Sequence, residues 1–402
     1  MRNRHSHLTL LSVFSGAGGL DLGLEHAGFR VIGCIEKDPA ARATLQANRP
    51  SWPILEPSEV NRLSRQLAPE DVDLRRGELS LLAGGPPCQS FSKAAQWSPN
   101  GRLGLRDQRA SCLAGFFRLI DAFLPKVVLM ENVPGFVSGS TTCLSRIERR
   151  FQAINRRSGF RYHLDWRILD AADYGVPQHR RRAIVVAARD AGPFIWPVPT
   201  HTVNRVSAWD ALCSTPPPAN PRTATGWLRL LPTIPEGHNY IWHTRRGGGK
   251  PLFGYRTRYW TFLLKLAKNR PSWTISAQPG PFAGPFHWDN RPLSIEERLR
   301  LQSLPPSWRV VGSERERIRQ VGNATPPLLA EAIGRAIARQ HFGRQYCSPL
   351  HLCIPIAKQG APKPAFLTPI PRDLLGRLGD HADHPGAGRG PRPITPLGDS
   401  RG

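Results

Sequence analysis

The stretch Leu8–Leu20, LTLLSVFSGAGGL, decides the fold. A short apolar run leads into a glycine-rich turn, and LDLGLEHAG continues directly from it with helical spacing. A strand, a glycine turn and a helix N-terminus bring backbone amides and the positive end of a helix dipole to a place that a ligand can approach closely. A tight turn with no ligand explains the glycines equally well. The balance shifts with RVIGCIE (30–36), which reads as the next strand and ends in Glu36. A carboxylate there can accept both hydroxyls of a ribose, which favours an adenosine-containing cofactor. Phosphoryl transfer is disfavoured, because no GxxxxGK[ST] pattern occurs. The beginning, MRNRHSHLTLLSVFSG, superficially resembles a secretory signal, but its apolar run is short and leads into a glycine loop in place of a cleavage site, so it reads as a first strand.

Outward from that turn, short strand-like runs alternate with helical patterns up to about residue 189. The further strand candidates are ELSLLA (78–83), KVVLMEN (126–132) and RRAIVVAAR (181–189), and LAGFFRLIDAFL is a clear intervening helix. Such alternation predicts an α/β fold with a doubly wound, mostly parallel sheet. From about 190 proline, tryptophan, glycine and arginine rise and periodicity fades. Between Arg222 and Phe286 ten lysines and arginines stand against one acid, Glu236, with aromatics interleaved. The expected organisation is therefore an α/β domain over 1–189, a smaller loop-rich basic domain over 190–300, a segment at 301–342 where helical periodicity returns, and a proline- and glycine-rich tail over 343–402 expected to be disordered or weakly packed.

The 402 residues carry a net charge of +25, which points to a polyanion, most simply nucleic acid; compositional bias toward arginine and proline is the plainer alternative. No apolar run approaches the roughly 18–20 residues of a membrane span. Seven cysteines lie scattered without CxxC pairs or metal-ligand spacing, so neither a disulfide framework nor a metal site is expected, and a reducing cytoplasm is the natural compartment.

Three further motifs carry chemistry. GGPPCQSFS (84–92) frames Cys88 between rigid and permissive backbone directly after a strand, as a nucleophile requires and a buried structural thiol does not. Its thiol, with an ordinary pKa near ~8.5, needs activation by neighbours. Glu131, in Glu131-Asn132-Val133 at the end of KVVLMEN, could deliver a proton to a ring nitrogen or sit in an ordinary strand-end salt bridge. In Gln178-His179-Arg180-Arg181-Arg182, alternate residues share a face, so Arg180 and Arg182 could both enter a site or remain solvated charges.

Taken in order, FSGAGGL, GGPPCQSFS, ENV, QHRRR and RQVGNATPP (319–327) resemble the motif series of bacterial DNA cytosine-5 methyltransferases of restriction–modification type, over roughly residues 8–340. The resemblance implies a sheet of the S-adenosylmethionine-dependent methyltransferase type, S-adenosylmethionine as cofactor and cytosine in double-stranded DNA as substrate. It assigns Phe14, Ser15, Gly16, Ala17, Gly18, Gly19, Leu20, Glu36, Glu59, Pro87, Asn323 and Ala324 to cofactor binding. Cys88 becomes the nucleophile on carbon 6, Glu131 the acid at ring nitrogen 3, and Arg182 with Arg180 the partners of the carbonyl oxygen at position 2. Gln89, Ser92, Arg245, Arg246, Lys250, Arg256, Arg258 and Tyr259 are the candidate DNA contacts, although RTRYW (256–260) reads equally well as a packed structural segment. A cytosine must leave the stack to reach a thiol and a sulfonium together, at a few kcal/mol. The family also implies a monomer, with a cognate endonuclease acting on the same site without a stable complex. The rival readings are a transfer-RNA cytosine-5 methyltransferase, a catalytically silent DNA-binding protein and a nicotinamide-dependent oxidoreductase; the last explains neither the cysteine motif nor the charge.

Overall fold

The computed structural model describes residues 7–87, 111–138, 143–217, 224–255, 258–352 and 354–375. Six strands form one sheet: β1 (Leu8–Val13), β2 (Phe29–Ile35), β3 (Leu81–Gly84), β4 (Val127–Asn132), β5 (Tyr162–Asp170) and β6 (Arg181–Arg189). Their order is β2-β1-β3-β4-β6-β5. The pairs β1–β2, β1–β3 and β3–β4 are parallel, whereas β6 pairs antiparallel with both β4 and β5. The expected mostly parallel α/β sheet is present, with an antiparallel edge.

β1 and β4 are buried along their whole length, because helices cover both faces. Alternate residues of β1 serve opposite cores: Leu8 and Leu10 face one cluster, Leu11 and Val13 the other. The first cluster takes in α1 (Gly19–His26) and α9 (Pro327–Phe342); the second takes in α3 (Val60–Leu63), α4 (Ser111–Phe123) and α5 (Leu144–Ser158). α2 (Pro39–Asn48) begins at Asp38, whose carboxylate accepts from the Ala40 amide at 3.0 Å. α6 (Ala208–Leu212), α7 (Ile295–Leu301) and α8 (Glu314–Asn323) each start from a serine capping box. A last short helix, α10, spans Arg372–Leu375.

α1 and α9 cross closely. A Cβ on Gly23 of α1 would stand 2.2 Å from the Pro327 carbonyl oxygen, so only glycine permits this approach. Residues 230–286 build a separate, smaller core from Leu230, Leu231, Ile234, Tyr240, Phe253, Phe262 and Phe286, connected mostly by turns. In the tail, most residues of 344–352 and 354–375 are exposed, and a few side chains pack: Tyr346, Leu350, Leu352 and Ile354 lie against the first core, and Leu374 is buried in the third. Apolar side chains spaced among the prolines supply that packing, and a reading of composition alone overlooks them.

Candidate active site

The strand ends of the parallel half converge on a cleft of about 450 Å³, a size suited to one nucleotide-like ligand. One wall is the glycine turn. Phe14 leaves β1 at φ 60°, Gly16 and Gly18 also adopt positive φ, and the Gly18 amide closes the turn on the Ser15 carbonyl at 2.9 Å. Phe14, Ser15, Gly16, Ala17 and Leu20 line the cleft. Gly18 and Gly19, expected to do the same, face inward. A Cβ on Gly18 would meet Leu45 at 2.8 Å, and one on Gly19 would meet the Thr325 carbonyl oxygen at 2.3 Å, so these two glycines serve close packing behind the loop.

Glu36, just past the end of β2, turns into the cleft. Its carboxylate accepts from the Gly16 amide at 2.7 Å and the Asp38 amide at 2.8 Å. Burial raises its pKa, and these two amides oppose the rise. Glu59 is not among the cleft-lining residues; its half-exposed carboxylate stands 3.7 Å from the Lys37 ammonium. α8 and the turn after it close the far side with Asn323, Ala324 and Thr325, and Trp308 donates its indole N–H to the Ala17 carbonyl at 3.0 Å.

Across the cleft, Gly85, Pro86 and Pro87 run beside Glu131. Glu131 Oε2 would lie 3.2 Å from a Cβ at Gly85, so a side chain there would press on the carboxylate. Arg182 Nε stands 2.8 Å from Glu131 Oε1, and both side chains are nearly buried. Asn132 donates from Nδ2 to the Pro86 carbonyl at 3.0 Å, while its Oδ1 accepts from the Val133 amide at 2.9 Å. Arg180 is buried and donates from Nη2 to the Gly322 carbonyl at 2.8 Å, tying the β6 approach to the end of α8. Cys88, Gln89, Ser92 and Arg256 lie outside the described residues.

Gln178 is fully buried; its Nε2 donates to the Leu301 carbonyl and to Gln302 Oε1, and its Oε1 accepts from the Ile275 amide. Gln302 in turn donates to the carbonyls of Val321 and Ala324. Two glutamines thus bind three distant segments into one wall. Asn132 and Gln178 stood inside the motif series without a role assigned, and Gln302 outside it, since a long-range amide relay has no local pattern. Trp308 and Asp21 carried no signal. Asp21 is buried at the start of α1, and neither carboxylate oxygen accepts a hydrogen bond of standard geometry from a described residue. Burial pushes its pKa up to about 7, Ser12 pulling the other way.

In the 230–286 region Arg245, Arg246 and Lys250 are exposed, with the Arg246 guanidinium 3.8 Å over the Tyr255 ring. Arg258 and Tyr259 are half-buried instead. The Arg258 carbonyl accepts from the Tyr240 hydroxyl at 2.9 Å and Tyr259 meets Phe262 edge-on, so this part of RTRYW is packed, while Trp260 is exposed. Among the described residues no group of histidine, cysteine, aspartate and glutamate could hold a metal ion, and no helix is long and apolar enough to cross a membrane.

Comparison with known proteins accords with this geometry. A family described as C-5 cytosine-specific DNA methylase matches residues 8–339. The Type II methyltransferase M.SacI of Streptomyces achromogenes is 34% identical over 370 residues, covering 83% of this chain and 93% of that one. Among solved structures, the methyltransferase EhMeth of Entamoeba histolytica aligns with TM-score 0.56 at 14% identity, over 83% of this chain and 98% of that one. The Dnmt2 methyltransferase of S. pombe aligns with TM-score 0.54 at 16% identity, over 83% and 99% respectively, and these two likenesses concern the fold alone. A match over most of the length, around a cleft that joins the glycine turn, Glu131 and Arg182, places this chain in the C-5 cytosine-specific DNA methylase family.

Proposed function

We propose that this DNA cytosine-5 methyltransferase uses Cys88 and Glu131 as its catalytic pair, S-adenosylmethionine as its cofactor and the basic module as its reader of DNA. The hydrogen bond from Asn132 to the Pro86 carbonyl carries the reading: it holds the backbone two residues before Cys88 against the strand end that bears Glu131.

The residues present suit the cofactor. Glu36 borders the cleft with a carboxylate that can accept ribose hydroxyls beside the two amides it already holds. The Phe14–Ala17 turn lines the place for an adenosyl group, and Pro87, Asn323 and Ala324 border the same cleft. When bound there, S-adenosylmethionine supplies the methyl group that ends on carbon 5. The Cys88 thiolate forms a bond to carbon 6 of a cytosine flipped from the helix, and the displaced electron pair moves into the ring toward nitrogen 3. Glu131 provides the proton that nitrogen 3 then needs, and Arg182, paired with Glu131, is positioned to steady the oxygen at position 2. Once carbon 5 carries the methyl group, nitrogen 3 returns its proton to Glu131. Loss of the carbon 5 proton to a base lets that C–H pair re-form the 5,6 double bond while the carbon–sulfur bond breaks with its electrons on the Cys88 thiolate. Arg180 holds the wall together through Gly322.

Residues 190–300 form the recognition module in this reading, and 301–342 the return to the catalytic domain. Arg245, Arg246 and Lys250 meet phosphates. Resemblance to a Type II methyltransferase supports a modification role beside an endonuclease of the same specificity, with the enzyme acting as a monomer in a cytoplasm that keeps Cys88 reduced. Intact Glu131, Arg180 and Arg182 favour this reading over a silent DNA-binding protein, and the DNA methylase family over an RNA enzyme.

The test is to incubate protein, unmethylated plasmid and S-adenosylmethionine and to map 5-methylcytosine at base resolution. One recurring short site is expected, and Cys88→Ser should abolish the mark while DNA binding persists. Substantial turnover by that variant would remove Cys88 from its role.

A further inference from the structure

The family match ends at residue 339, yet the chain continues in a defined course across the molecule. Its first attachment is to the catalytic domain. The Tyr346 hydroxyl donates to the Ala27 carbonyl at the end of α1 at 2.6 Å, and Arg335 of α9 donates to the carbonyls of Ser348 and Pro349. Glu331, wholly buried in α9, accepts from the amides of His351 and Leu352 at 2.7 and 3.1 Å. A second attachment is to α6, where Asp210 accepts from the Ala357 amide and Trp209 donates to the Gln359 carbonyl. The third is in the module: the Thr368 amide donates to the Pro232 carbonyl, Arg229 makes a two-point ion pair with Asp373, and Leu374 is buried in the module's core cluster. One segment therefore contributes apolar side chains to both the catalytic core and the module core.

We infer that residues 344–352 and 354–375 act as a strap that sets the position of the module relative to the cleft, with Leu374 and Asp373 as positioning residues for the DNA substrate. The inference rests on the reading of the module as the DNA reader. The module is already tied to the catalytic domain where Ser272 and Ile275 bond the 177–179 segment and where Leu266 and Ile275 join the first cluster. Regions with largely separate cores still shift relative to one another unless further restrained. A further attachment narrows the range of orientations before DNA arrives, and an orientation fixed in advance lowers the entropic penalty of binding. The ion pair is exposed and contributes little by itself, so the buried Leu374 is the stronger anchor.

The decisive experiment lengthens the strap without removing an anchor. A Gly/Ser insertion of about 20 residues between Pro364 and Ala365 of the full chain adds slack of roughly 25 Å. Spin labels at Glu148 on α5 and Pro251 in the module report their separation without DNA. The expected result is a broadened distance distribution, a KM for DNA raised about tenfold, and a kcat at saturating DNA within twofold of the parent. Leu374→Ala should move the KM in the same direction, and Arg229→Asp should rescue Asp373→Arg. A distance distribution as narrow as the parent's overturns the strap whatever DNA does. A broadened distribution with unchanged KM overturns the positioning role and locates the failure in the assignment of the module to DNA.

Discussion

The catalytic region and the basic module solve the same problem with different materials. The first is a six-stranded sheet with a large apolar cluster on each face, and its functional groups stand at strand ends where backbone ladders fix them. The second gathers a compact core in which Tyr240, Phe253 and Phe262 meet edge-on, 5.7–6.0 Å between ring centres, under short turns. Covalent chemistry tolerates little displacement, so its groups belong on ladders. Reading a polyanion needs exposed cations on an adaptable surface, and turns over a small aromatic core provide them.

The contrast breaks most directly at Asn132. If strand-end rigidity is what the chemistry requires, Asn132→Ala releases the Pro86 carbonyl from β4, and kcat should fall about 10- to 100-fold, the range associated with displacement of a reacting group by ~1 Å. Cofactor affinity, measured by calorimetry, should change little, since Glu36 and the glycine turn lie on the other wall. An unchanged kcat would show that the Pro-Pro segment holds itself.

A smaller effect is expected in the module. Replacing Arg245, Arg246 and Lys250 together with alanine should weaken DNA binding and reduce the slope of log affinity against log salt by up to ~3, about one unit for each phosphate left without its cation. Single-turnover rates at saturating DNA should hold. A full salt slope in the triple variant would move the DNA surface elsewhere.

The two regions also differed in how much the sequence disclosed. β1, β3, β4 and β6 were legible because buried strands in this sheet are nearly continuous apolar runs. β5, YHLDWRILD, was missed: it lies at the sheet edge, mixes exposed charges with apolar residues and never forms such a run. The cleft-lining residues of the glycine turn, Glu36, Glu131 and Arg182 were found through motifs. Gly18 and Gly19 share the motif but serve packing, a difference set by Leu45 and Thr325, residues far away in sequence. The same applies to the glutamine relay. Leu374 was missed because a residue's burial depends on the core it reaches, here one built from residues far upstream, Leu230 to Phe286.

The smallest expected effect concerns the cost of that rigid half. Asp21 sits behind the glycine turn with its carboxyl buried, and its pKa rises from 3.8 to about 7 chiefly through burial. The sign follows from linkage. Below pH 4 the group is neutral folded and unfolded, and it imposes no charge penalty. Between about 4 and 7 the unfolded chain releases the proton that the folded chain retains, so stability falls as pH rises. Above 7 the penalty is complete, on the order of 4 kcal/mol as an upper figure. Asp21→Asn removes the titration, so its melting temperature should exceed the parent's by several degrees at pH 8 and converge with it near pH 4. Parallel melting curves across that range would mean that the Ser12 hydroxyl or the α1 dipole already compensates the charge. Convergence at low pH would show that the catalytic half carries a buried acid at a standing loss of stability, as the module carries a buried base in Lys265, whose pKa burial lowers to about 8.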